Sequence, residues 1–206
     1  MGRGASFGSR WISISLGHVE HVSWARDLAK ELLADALPRR WTHSQGVGHK
    51  AESISHLLGD DAITLICSAW LHDIGYAPDL VVSGLHALDG ARYLRDMVRA
   101  DGLICRLVAN HSFAIVEAGR RGLATELADE FPIAEGLLAD ALVYCDMTTS
   151  PSGEPVQVEQ RLDEIGARYG RGHLVAESIA EVSPRIIRSV QTIMGNPNFR
   201  PHQGLS

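Results

Sequence analysis

An imidazole and a carboxylate stand side by side at His72-Asp73, directly after the uncharged run Ala62-Ile63-Thr64-Leu65-Ile66-Cys67-Ser68-Ala69-Trp70-Leu71. A buried segment that ends in two such groups must pair them, because an unpaired charge inside a protein is costly. Other parts of the chain offer partners. His43 lies in Arg40-Trp41-Thr42-His43-Ser44, and Asp146 ends the apolar stretch Ala141-Leu142-Val143-Tyr144-Cys145. His86 and His111 follow the doublet on later helix-like segments. Neutral imidazoles mixed with carboxylates make a nitrogen and oxygen donor set suited to Fe, Mn, Zn or Ni. An aspartate next to a histidine can bridge two ions while that histidine holds one of them. Each histidine alone also has an ordinary reading as a helix cap or a core residue. His18, His21, His49, His56, His173 and His202 belong to that class.

These residues must be positioned by helices. From Val19, apolar residues recur at three- and four-residue steps (Val22, Ala25, Leu28, Ala29, Leu32, Leu33), and Pro38 is expected to close that helix. A second helix carries Val47, Ala51, Ile54, Leu57 and Leu58 and ends at Gly59, with His43 near its start. The doublet tips a third, which Gly75 and Pro78 stop. His86 opens a fourth, and a fifth is expected to run through Ile104, Leu107, Val108, His111 and Ile115. A short helix to Glu130 follows, then one starting near Pro132 and continuing to Cys145. Two segments around Val158–Ile165 and Leu174–Ile179 precede a last helix, Ile186 to Met194. No stretch alternates with period two, so the fold class is all-α. The expected organisation is a tail over 1–17, one helical domain over 18–195 and a tail over 196–206.

At 206 residues the chain is long enough for one domain with a substantial core. A formal charge of −6 and the mixing of acidic with basic residues leave no basic footprint for DNA or RNA. Cys67, Cys105 and Cys145 lack metal-ligand spacing and sit in apolar stretches, which predicts reduced, buried thiols and a cytoplasmic setting. No run reaches membrane-spanning length, and Arg3 and Arg10 are followed by no long apolar core, so no signal peptide is read.

The ordered pattern of a histidine, a His-Asp doublet and a distant aspartate resembles the HD-domain superfamily of metal-dependent phosphohydrolases. It is carried by Arg40-x-x-His43-Ser44, Trp70-Leu71-His72-Asp73-Ile74-Gly75 and Tyr144-Cys145-Asp146, and covers roughly Ala25 to Tyr169. The resemblance implies a compact multi-helix bundle with a metal site at its core. His43, His72 and Asp146 would hold one divalent transition metal, with Asp73 bridging. His86 and His111 resemble the branch of the family in which histidines on the next helices hold a second ion; otherwise they are a helix cap and a core residue. Many relatives continue the doublet with a lysine where this chain has Tyr76, and cyclic-dinucleotide phosphodiesterases have a second histidine where it has Ser112. The acidic pair of guanosine-tetraphosphate hydrolases is replaced by Tyr76-Ala77-Pro78. These departures count against both specific assignments.

The activity implied is hydrolysis of a phosphate ester or anhydride in a nucleotide or another small phosphorylated metabolite. A metal lowers the pKa of its water from about 15.7 toward about 7. Asp73 and His111 are the candidate catalytic residues, His111 either as ligand or as general acid toward the leaving oxygen. Arg40, Lys50, Arg92 and Arg161 are candidates for the phosphates, and the loop Thr148-Thr149-Ser150-Pro151-Ser152-Gly153 for a gate. A di-iron oxygenase with the same six ligands and a non-catalytic metal- or nucleotide-binding sensor are the alternatives. The expected partner is the small phosphorylated substrate, with a homodimer allowed and neither nucleic acid nor membrane expected.

Overall fold

The computed structural model describes residues 18–200. The expected N-terminal tail lies outside the described residues, as does the end of the C-terminal one. The chain is helical: α1 (His18–Leu33), α2 (Pro38–Ile54), α3 (Ala62–Leu71), α4 (His86–Tyr93), α5 (Gly102–Asn110), α6 (Ala114–Arg121), α7 (Ala124–Glu130), α8 (Leu137–Met147), α9 (Val158–Tyr169) and α10 (Leu174–Met194). Among the described residues, the single strand-like pairing is an isolated bridge between Thr149 and Pro155.

A helix apolar on every side has to lie at the centre of its domain. In α3 every residue from Leu65 to Leu71 is buried, and the helix packs against α1, α2, α5 and α8. Each fully buried large apolar side chain there, Leu65, Trp70 and Leu71 among them, contributes about 1.5–3 kcal/mol relative to exposure. A second apolar cluster joins Val143 and Met147 of α8 to Ile165 of α9 and Val182, Ile186 and Val190 of α10. Helix α8 therefore stands between the two cores, with Asp146 at the boundary. Cys67, Cys105 and Cys145 are buried and free, and burial pushes the Cys67 thiol up to about 12 and the Cys105 thiol to about 11.

Several boundaries differ from those the sequence suggests. Pro38 begins α2 rather than ending α1, because a residue without an N–H fits the first helical turn, whose N–H groups have no partner inside the helix. The fifth helix stops at Asn110. Ser112 (φ 48°) and Phe113 (φ 61°) turn left-handed before α6 begins, although the apolar spacing carries through the break. Residues 132–136 are not helical, and α8 starts only at Leu137. Leu174 to Met194 form one helix across Pro184. The proline leaves the Ala180 carbonyl without its usual donor, and the Ser183 hydroxyl donates to it at 2.9 Å instead. Beyond the expected domain end, Phe199 packs edge-on against Tyr144 at 5.7 Å between ring centroids.

Two close approaches bring the site together. A Cβ on Gly75 would sit 1.9 Å from the His86 carbonyl oxygen and 2.6 Å from the Gly90 nitrogen, so only glycine lets α4 lie against the turn after the doublet. A Cβ on Gly46 would sit 2.3 Å from the Gly153 carbonyl oxygen, so α2 touches the loop after α8.

Candidate metal centre

The last carbonyls of a helix have no partner inside it. His72 and His111 use this in the same way at the ends of α3 and α5. Each ring folds back on its own helix, Nδ1 of His72 reaching Ala69 O at 2.7 Å and Nδ1 of His111 reaching Val108 O at 2.6 Å. His43, in the middle of α2, sets its Nδ1 3.0 Å from Ser150 O, on the loop that Gly46 admits. A carbonyl only accepts, so Nδ1 carries the hydrogen in all three rings and Nε2 presents a lone pair.

Those lone pairs converge. Asp73 lies between two pairs of histidines: its Oδ2 is 3.3 Å from His72 Nε2 and 4.0 Å from His43 Nε2. Its Oδ1 is 3.6 Å from His86 Nε2 and 3.9 Å from His111 Nε2. Asp146, in the last turn of α8, places Oδ1 3.1 Å from His43 Nε2 and 3.9 Å from His72 Nε2. His86 and His111 face each other through their Nε2 atoms at 3.1 Å. All but His86 are buried, none more than 7% exposed.

This donor set fits divalent cations. Lone pairs of nitrogen aimed at carboxylate oxygens repel unless a positive charge lies between them. His72 Nε2 is fully buried and has no hydrogen-bond partner, which is costly for a polar atom unless something coordinates it. The donors fall into two groups, His43, His72 and Asp73 and then Asp73, His86 and His111, each with its atoms within 4.8 Å of one another. Sharing of Asp73 is what a bridging carboxylate requires.

The electrostatics agree with a cation-seeking site. Burial opposes the Asp73 charge, but Arg40 and His72 overcome it and hold the carboxyl well below its ordinary value. Burial likewise opposes Asp146, while the neighbouring His43 and the charge of His72 hold its carboxyl far down. His86 is held well below the ordinary histidine value by burial and then by His111. His111 is lowered by burial and then by His72. His72 goes the other way: burial opposes its charge, but Asp73 and Asp146 raise it, so a proton is drawn to the place a metal would fill.

Arg40 donates to Asp73 Oδ2 at 2.7 Å and lies 3.9 Å over the Tyr76 ring, which stacks on His86 at 4.0 Å and 17°. Tyr76 thus lies as a spacer between a cation and a candidate metal-binding ring. Burial pushes its hydroxyl upward and keeps the phenol neutral. The centre opens into a cleft of about 640 Å³, mouth included, bordered by Arg40, Tyr76, Phe113 and the far wall of α9 and α10. Arg161 lies on that wall, buried and bonded to Glu164. The other two candidate phosphate ligands are directed elsewhere. Lys50 donates to the carbonyl and hydroxyl of Thr148, and burial lowers it to about 8. Arg92 pairs with Glu126 and Glu130. Neither borders the cleft. The loop after Asp146 is tied down by Ser150 N to Glu154 O (2.8 Å) and Val156 N to Thr148 O (2.9 Å), and so buttresses His43 rather than forming a free gate.

Sequence reasoning missed three contributors. Ser112 donates to Asp146 Oδ2 at 2.5 Å from its left-handed position. Buried Asp89 accepts from the backbone N–H groups of Val82, Ser83 and Gly84, fixing the turn that delivers His86. Arg168 borders the cleft beside Arg161. Only Asp89 had a legible signal, as an acid in the first turn of α4 and one turn from His86. No helix among the described residues is long and apolar enough to cross a membrane.

Ribonuclease Y of Thermoanaerobacter pseudethanolicus is 36% identical over 70 residues, 34% of this chain. The chain spans only 14% of that relative's length. No solved structure matches. The family model described as the HD domain matches residues 40–143, half of the chain, from Arg40 through the doublet to α8. HD domains bind divalent metals and form a superfamily of metal-dependent phosphohydrolases. With His43, the His72-Asp73 doublet, His86 and His111 inside the matched region and Asp146 three residues beyond it, the chain belongs to the HD-domain family.

Proposed function

We propose that the chain is a metal-dependent phosphohydrolase acting on a nucleotide or another small phosphorylated metabolite, with two divalent ions (Fe, Mn, Zn or Ni) as cofactor. The observation that supports it best is Asp73, with one oxygen turned to His43 and His72 and the other to His86 and His111. When bound, the metal supplies acidified water, with a pKa near about 7, and offsets phosphate charge. His43, His72 and Asp146 would hold one ion and His86 and His111 the other, with Asp73 serving both. The backbone carbonyls of Ser150, Ala69 and Val108 keep three of those rings in the correct tautomer. His111 acts as ligand rather than acid, because its Nδ1–H is committed and burial keeps the ring neutral. Arg40, held by Asp73 and Tyr76 at the mouth, receives the reacting phosphate through its remaining N–H groups.

The test is phosphate release from a panel of nucleotides and phosphorylated metabolites by metal-analysed protein. Turnover that disappears in Asp73→Ala is expected, and turnover that survives it ends the proposal. An oxygenase would use the same donors, but its turnover stops without oxygen whereas hydrolysis does not. The relative's name speaks of RNA. The net charge of −6 favours a small substrate over a polynucleotide.

A further inference from the structure

The far wall of the cleft comes from helices outside the matched family region. Arg161 of α9 is only 4% exposed. Its NH1 donates to Glu164 Oε2 at 2.5 Å, while its Nε is buried and has no acceptor. Arg168, two turns on and on the same helix face, leans on the same carboxylate, with its Nε 3.5 Å from Glu164 Oε1. Two guanidiniums therefore share one acid. Asp146 borders the same cleft as the two arginines. A buried cation with an unfilled donor is costly until an anion meets it. Arg161 and Arg168 also border a second opening beside Pro38 and Pro151, shared with Arg39 and Arg40, so four guanidiniums surround the approach to the centre.

We propose that Arg161 and Arg168 form a second anion-binding position beside the metal centre, so that the substrate carries two anionic groups. The reacting phosphate lies at the metal site and Arg40, and a further phosphate lies at Arg161. The substrate class is then a diphosphate, an oligophosphate or a bisphosphate, not a simple monophosphate. This deepens the phosphohydrolase reading and rests on it. The planar fork of arginine favours this chemistry, since it binds phosphate oxygens in pairs.

The probes are orthophosphate, pyrophosphate and tripolyphosphate, each titrated into the metal-loaded full chain by calorimetry. The tighter of the two oligophosphates is expected to bind at least about tenfold more tightly than orthophosphate. Arg161→Gln is expected to cut that preference to about twofold or less while orthophosphate affinity stays within about twofold. Should the buried substitution prevent folding, Arg168→Gln at the outer position carries the test, with the preference falling about threefold. Absence of the preference in the wild type overturns the proposal, as does a preference left intact by the variant that folds. Orthophosphate binding that still requires metal in that case leaves the phosphohydrolase reading standing. Failure of that reading is seen separately, as phosphate release surviving in Asp73→Ala.

Discussion

Gly75→Ala tests how closely two helical segments must meet to build the second half of the centre. An added Cβ would lie 1.9 Å from the His86 carbonyl oxygen, where ordinary contact begins at 3.4 Å. The turn after the doublet and α4 must therefore separate by about 1.5 Å, the difference between those distances. His86 Nε2 and Asp73 Oδ1 are 3.6 Å apart, on either side of the place for one ion. Metal coordination tolerates about 0.2 Å, so the ion proposed at His86 and His111 should be lost. His43, His72 and Asp146 are held by α2, α3 and α8 and keep theirs. Overpacking of this kind costs about 1–3 kcal/mol. For a chain of this length each kcal/mol lowers Tm by about 2–4 °C. Elemental analysis should fall from two metal equivalents to one, with phosphate release down by about a hundredfold or more. A variant that keeps two equivalents and the wild-type Tm would show that the close approach does not position His86.

Three further outcomes follow from other contacts. Ser112→Ala removes the donor that orients Asp146 and should weaken metal binding about tenfold in a chelator competition. Ser112→Gly should lose the same affinity but be more stable than Ser112→Ala by about 1 kcal/mol, because glycine accepts φ 48° without strain; equal affinity in all three proteins would refute the orienting role. In chelated protein, His86 and His111 have folded pKa values below the unfolded value of about 6.5. Their contribution is present above that pH and lost as pH falls toward the folded values, whereas that of His72, whose pKa is raised, runs oppositely. With two groups against one, Tm of the chelated protein should fall from pH 7 to pH 5, and a rise over that interval would contradict the assignment. Arg92→Gln should leave phosphate release within about twofold, since its guanidinium serves Glu126 and Glu130; a loss of tenfold or more would return Arg92 to the site.

The legible part of the protein is the part written in strong local patterns. The uncharged run before His72 can only be a central helix, and a doublet at its buried tip needs partners, which led to His43, Asp146, His86 and His111. The geometry brings those residues together. The illegible part depends on geometry that periodicity does not encode. The spacing of Val108, His111 and Ile115 fits one helix, yet Ser112 and Phe113 break it, and that break points His111 inward and Ser112 at Asp146. Pro184 reads as a stop, but Ser183 replaces the missing donor and the helix runs on. Lys50 shares a helical face with His43, but Thr148 lies nearer to it than the cleft does. Arginine roles were the least readable, because a cation's partner is chosen by tertiary packing.

Whether Asp73 joins two ions is measured directly by anomalous scattering from crystals of the metal-loaded protein. Two peaks are predicted, one within about 2.0–2.4 Å of His43 and His72 and one equally near His86 and His111, with an Asp73 oxygen on each. Density for a metal elsewhere, or an Asp73 that touches neither ion, would contradict it.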